Sequence, residues 1–291
     1  MVPACWLLLT AFAVLYSCAG TESLAQISHP AEALPESDTY LSIAVLENQE
    51  IVSSVLSNFS LSQERMQNFL ENTDRAYIGI GQQEDSGVSK IYLVLIGNYN
   101  KFALEFGLGL SGEWEIDDNT RQFWSNADAA LQIAFQNSNT IYLSNGHIQD
   151  VIQRNRNYVY NQETVDRIVF LDSHDIAAYI NQPSSQYLAP ELAGRADLSI
   201  QAVYLSGNRA ENDMYQFSSD INFADSGSAR LFSLASRLIF LSWMRDEVMG
   251  PYIDPSQIDI SRSESRVNIE GVELPVEVVR TLLQGAIPFI Q

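Results

Sequence analysis

Two apolar runs set the tightest limit on how this chain folds. Residues 75–81 (Arg-Ala-Tyr-Ile-Gly-Ile-Gly) and 90–97 (Lys-Ile-Tyr-Leu-Val-Leu-Ile-Gly) are rich in β-branched and aromatic side chains, and a polar stretch ending in Ser86-Gly87 separates them. That pattern predicts two strands joined by a turn. A loop marked by Trp114 follows. Residues 121–136 then carry Phe123, Ala127, Ala130, Leu131, Ala134 and Phe135 at helical spacing, and 139–143 reads as a further strand.

The same order returns after residue 165. Upstream of the hairpin, 40–46 reads as a strand, 47–58 as a helix, and a second helix opens with Ser62 as its N-cap. Residues 102–110 read as a third strand or an irregular segment, and a helix at 148–155 closes the half. The second half predicts a strand at 167–171, helices at 175–181 and 185–193, and strands at 197–206 and 213–221. A long helix at 226–249, a strand at 266–270 and a helix at 275–285 complete it. Each half thus reads β-α-β-β-α-β with an appended helix, the ferredoxin-like order. The fold class expected is α+β, with two tandem ferredoxin-like units, 40–155 and 165–291, on mostly antiparallel sheets. In the long helix, Leu231, Leu234, Leu238 and Leu241 form one stripe. The stripe is expected to face its own sheet; the other reading is that it lines an apolar groove for a lipid or a partner.

Charge excludes one class of partner. The 291 residues carry 36 acidic and 16 basic side chains, a net charge of −20. Such a surface repels phosphate backbones, so nucleic acid is not an expected partner. The only cysteines are Cys5 and Cys18, and the three histidines, His29, His147 and His174, have no metal-ligand spacing. No disulfide, thiolate metal site or cofactor is therefore expected in the body of the chain.

Residues 6–16 form an uncharged apolar run of signal-peptide length, too short to span a bilayer comfortably. Leu15-Tyr16-Ser17-Cys18, followed by Ala19, resembles the lipobox of bacterial lipoproteins, in the loose form found in spirochaetes. The resemblance implies a signal peptide over 1–17, acylation of Cys18 as the mature N-terminus, and a polar tether over 18–39. Cleavage after Ala19 or Ala25 would instead leave a secreted protein.

Three constellations resemble reactive sites. Residues 129–150 resemble the helix-strand-loop before the metal site of von Willebrand factor A domains, but Asn145 stands where that family has an aspartate, and no D-x-S-x-S occurs. The segment is read as a strand ending in an Asn-Gly turn. Asp172-Ser-His174-Asp175 has the residue types for a catalytic acid–base pair, yet it suits a helix N-cap better, because no G-x-S-x-G accompanies it. Glu113 and Glu115 flank Trp114 in an acidic loop too generic to identify a glycosidase. No catalytic residue is assigned. The expected function is that of an exported, lipid-anchored cell-envelope protein with an interaction or structural role, its partners being the membrane and another protein. The alternative is a carrier or sensor of an apolar ligand held between the two units.

The lipobox makes a direct prediction. Cys18→Ala should move the exported protein from the detergent phase to the aqueous phase, and intact mass should show a diacylated or triacylated Cys18 in the parent. An unmodified chain beginning at Gly20 or Gln26 would refute acylation.

Overall fold

The two strands of the predicted hairpin pair within a single large sheet, and the turn expected at Ser86-Gly87 lies outside the described residues. A computed structural model describes residues 28–56, 63–83, 89–118, 121–128, 130–183, 198–245 and 250–286. Strands β2 (Thr73–Gln83) and β3 (Ser89–Gly97) pair antiparallel, with Tyr77 opposite Val94 and Ile80 opposite Ile91. Gly97 is needed where β3 passes the start of β2, since a Cβ there would sit 1.9 Å from the Asn72 carbonyl oxygen.

The remaining strands are β1 (Thr39–Ala44), β4 (Glu115–Ile116), β5 (Trp124–Asn126), β6 (Leu131–Phe135), β7 (Thr140–Ser144), β8 (Ile176–Asn181), β9 (Ile200–Arg209), β10 (Met214–Phe223), β11 (Asp259–Ser263) and β12 (Arg266–Pro275). They form a twelve-stranded sheet in the order β11-β12-β10-β9-β8-β1-β2-β3-β7-β6-β5-β4. Every neighbouring pair is antiparallel. The class is therefore mixed α and β on a large antiparallel sheet, but the strand order is not the ferredoxin-like one. The first strand of each half would there lie beside the third; here β1 lies between β2 and β8. From the β1–β8 pair the chain runs outward through β2, β3 and β7 on one side and β9, β10 and β12 on the other.

Among the described residues the α-helices are α1 (Gln49–Leu56), α2 (Gln63–Asn72), α3 (Lys101–Ser111), α4 (Ile148–Arg156), α5 (Gln162–Asp172), α6 (Ser226–Trp243) and α7 (Val276–Ala286). Four assignments reverse the sequence reading, the first being residues 102–110, which belong to the helix α3 rather than to a strand or an irregular segment. Residues 121–136 are not a helix but β5 and β6. Leu131-Gln-Ile-Ala-Phe135 alternates as a strand does, and Ala130 before it takes φ 48°, which breaks any helix. Residues 167–171 belong to α5, where Thr164, Ile168 and Leu171 supply the buried helical face and Asn161 caps the start. Residues 175–181, expected as a helix, are β8, buried along Ile176–Tyr179 because the sheet is covered on both faces there. The helix expected at 185–193 lies outside the described residues, as does Ser62, the N-cap expected for the helix that follows 47–58.

Alternation along the central strands sends two kinds of side chain to opposite faces. Tyr40, Tyr77, Tyr92, Tyr142 and Tyr179 pack under α4 and α5 with Ile148, Val151, Ile168 and Leu171. Ile43, Ile176, Val203, Ile221 and Val267 pack on the other face with Ile51 of α1, Phe232 and Phe240 of α6, and Val279 of α7. Residues 28–39, expected as part of the tether, are not a free linker. Ala31, Ala33 and Leu34 are buried in the tyrosine-lined core.

The sidedness of α6 is testable by paired substitutions. Phe232→Ala should cost about 3–5 kcal/mol in urea unfolding. Leu238→Ser, on the outward stripe, should change stability by no more than about 0.5 kcal/mol. Similar losses from both would contradict the packing.

Candidate interaction surface

The leucine stripe of α6 points away from the sheet. Ala229, Phe232, Ala235, Ser236 and Phe240 form the buried face of the helix. Leu234 and Leu238 are 64% and 66% exposed, and Leu231 and Leu241 are exposed beside them. The expectation that Leu231, Leu234, Leu238 and Leu241 face their own sheet is therefore corrected. Both faces of α6 are apolar, and the smaller, aromatic-containing set fits the sheet.

A second helix repeats this arrangement where the sequence suggested none. In α3, Asn100 accepts the Ala103 N–H at 3.1 Å as an N-cap, and Gly112 closes the helix in the left-handed conformation with φ 69°. No residue of α3 is buried. Lys101, Glu105 and Gly109 form the stripe turned toward β5 and β6. Lys101 Nζ donates to the Phe135 carbonyl at 3.2 Å, and Gly109 faces the Trp124 ring. The next stripe, Phe102, Phe106 and Leu110, meets solvent, with Phe102 78% and Leu110 70% exposed. The two phenylalanine rings stack on each other with centroids 6.2 Å apart. Monomeric surfaces seldom leave contiguous apolar area of this kind without a use.

The residues that suggested chemistry form a different structure. Asp172 is at the C-terminus of α5, not at a helix start. It does not meet His174, whose Nδ1 lies 2.9 Å from the Phe170 carbonyl. Asp175 accepts the Arg209 N–H at 2.7 Å. Asp172 instead takes the hydroxyl hydrogen bond of Tyr77, stands 3.5 Å from His29 Nε2, and lies 3.8 Å from Arg75 Nε. Arg75 Nη1 also donates to the carbonyls of Leu171 and His174, at 3.1 and 2.9 Å, placing a cation at the helix end where the dipole is negative. His29 Nδ1 accepts the Ala31 N–H at 3.2 Å, and its backbone N–H donates to buried Glu32 at 3.0 Å. The cluster pins residues 28–34 to α5 and β2. Sequence reasoning missed it because its members come from three separate segments.

Elsewhere Asn145 behaves as a turn residue: it accepts the Ile91 N–H at 2.9 Å and donates to Ser89 at 2.7 Å, and Gly146 has φ 100°. Trp114 is half-buried between exposed Glu113 and Glu115. Cys18 lies outside the described residues.

Burial lowers the pKa of His29 below its ordinary 6.5, more than the opposing pull of Asp172 raises it. The folded protein then binds fewer protons at this site than the unfolded chain. Its stabilising contribution is complete above the unfolded value and is lost as pH falls through the lower folded value. A proton on Nδ1 would also displace the Ala31 hydrogen bond. Thermal stability should therefore fall as pH drops from about 7.5 to about 5, and His29→Asn, which keeps an acceptor for Ala31, should flatten that slope. An unchanged slope would remove His29 from the account.

No family model and no curated protein matches the sequence. The fold is similar to solved structures of TP0453, a Treponema protein. Crystal form III matches with TM-score 0.64 at 12% identity, over 90% of this chain and 99% of that one. Crystal form I gives 0.63 at 13% identity, over 90% and 98% of the two chains. Form IV gives 0.61 at 13%, over 89% and 98%. At this identity the likeness speaks for the fold alone.

Proposed function

We propose that this protein works without catalysis at the surface of a membrane, held by a lipid on Cys18 and seated through the outward apolar stripes of α3 and α6. The observation that carries this reading is the exposure of Phe102, Phe106 and Leu110 on one helix and Leu231, Leu234, Leu238 and Leu241 on the other. Fully burying one such side chain is worth about 1.5–3 kcal/mol. A bilayer is the occupant that the chain itself brings near. From Cys18 to Ser28, where the pinned body begins, the chain reaches at most about 35 Å even if fully extended. Among the described residues no helix is long and apolar enough to cross a membrane. The helices would lie in the interfacial layer with their apolar faces down. With a net charge of −20, the attraction must come from apolar area rather than from a general pull toward anionic lipid.

The internal repeat belongs to the same reading. Helix α3 follows the β2–β3 hairpin and α6 follows the β9–β10 hairpin. We take the two halves as versions of one unit, each contributing one outward apolar helix.

The test uses the Cys18→Ala protein, so that no acyl chain contributes, floated with neutral phosphatidylcholine vesicles. The parent should float. Phe102→Ser, Phe106→Ser and Leu110→Ser together should weaken partitioning at least about tenfold while leaving the melting temperature unchanged, as expected for exposed positions. Absence of flotation, or flotation indifferent to all three substitutions, would contradict the proposal.

A further inference from the structure

The stripe of α3 that faces the sheet overlooks a cleft of about 340 Å³, floored by Ala134, Phe135 and Tyr142 and walled by α4. In a chain with 16 basic residues against 36 acidic ones, Lys101, Arg121 and Arg156 all line this one opening. Glu105 is the one carboxylate of the lining, 3.8 Å from Lys101. Arg121 and Arg156 have no carboxylate at ion-pair distance among the described residues. The polar side of the lining is completed by amides, including Gln122, whose buried Oε1 has no hydrogen-bond partner among the described residues. Phe135 and Ile152 give the cleft an apolar side.

We infer that this cleft binds a phosphate ester, the oxyanion held by Arg121 and Arg156 and its short organic stem lying against Phe135 and Ile152. Guanidinium groups suit this role because their planar forks match phosphate oxygens two at a time. Lys101 adds a point charge already anchored by the Phe135 carbonyl. A Gln122 amide turned end for end would offer N–H donors at the orphaned position. The cleft adjoins the exposed stripe of α3, so the ester could be the head group of a lipid or a free soluble phosphate; the chemistry required is the same.

The experiment measures binding of sn-glycerol 3-phosphate to the soluble Cys18→Ala protein by calorimetry, with glycerol as the control. In parallel it measures flotation with phosphatidylglycerol vesicles against phosphatidylcholine vesicles. Glycerol 3-phosphate should bind and glycerol should not, and Arg121→Gln with Arg156→Gln should weaken binding at least about tenfold, the scale of one lost charge-assisted contact. The same pair changed to Lys should recover part of the loss. Arginine-dependent binding in the soluble arm alone assigns the site to free phosphate esters. An arginine-dependent preference for phosphatidylglycerol alone assigns it to lipid head groups. No binding in either arm, or binding equal in the parent and the Gln variant, overturns the inference. Flotation of the Arg121→Gln, Arg156→Gln protein with phosphatidylcholine reads the apolar helices separately, so either proposal can fail without the other.

Discussion

The pairing of β1 with β8 is the constraint on which the rest of the molecule depends. It joins the two halves into one sheet and sets Tyr40 opposite Tyr179 and Ile43 opposite Ile176. Because strand side chains alternate, one face of the centre becomes tyrosine-rich and the other aliphatic. Both faces must then be covered, and helices from both halves cover them: α4 and α5 on one side, α1, α6 and α7 on the other. Toward β10 and β12 the first face turns polar, with Asp220 opposite Asn268 and Asn222 opposite Arg266, and it needs no helix there. Helix faces not used in this covering are left to solvent, and two of them are apolar.

How much of this was legible in the sequence depended on whether local pattern and tertiary demand agreed. The hairpin of β2 and β3, the strands β1, β7, β9, β10 and β12, and the long helix α6 carry strong periodicity, and each lies within a few residues of its expected place. The helix expected at 121–136 is absent because alanines and phenylalanines fall at helical intervals by accident, while a left-handed Ala130 makes a turn that no propensity signals. Segment 101–111 failed in the opposite direction. Gly107, Gly109 and the following Gly112 argue against a helix, yet Asn100 caps its start and Gly112 ends it. The α6 stripe is apolar, as its periodicity says, but it points away from the sheet rather than toward it. Periodicity shows that a face is apolar and does not say which of two apolar faces meets the sheet.

The histidine-centred cluster and the arginine-lined cleft share a feature that hides them from a linear reading. Each assembles residues from distant segments, His29, Arg75 and Asp172 in one and Lys101, Arg121 and Arg156 in the other. The first has a mechanical consequence. By fixing residues 28–34 to the body it shortens the segment between Cys18 and the folded protein, so an acyl anchor would hold the body close to its bilayer. The second would give an acidic protein one local point of contact with an anionic group.

The central claim is that the outward stripes of α3 and α6 enter a lipid interface together. Because the two cysteines of the chain are Cys5 and Cys18, single cysteines introduced into the Cys18→Ala protein after removal of the leader can be spin-labelled specifically. The direct measurement is oxygen against nickel-chelate accessibility of labels at Phe106→Cys, Leu238→Cys and Ser261→Cys, the last on β11, with and without phosphatidylcholine vesicles. The account predicts that the labels at 106 and 238 both become oxygen-accessible and shielded from the chelate when vesicles are added, while the label at 261 stays aqueous. Labels at 106 and 238 that remain aqueous in the presence of vesicles would contradict it.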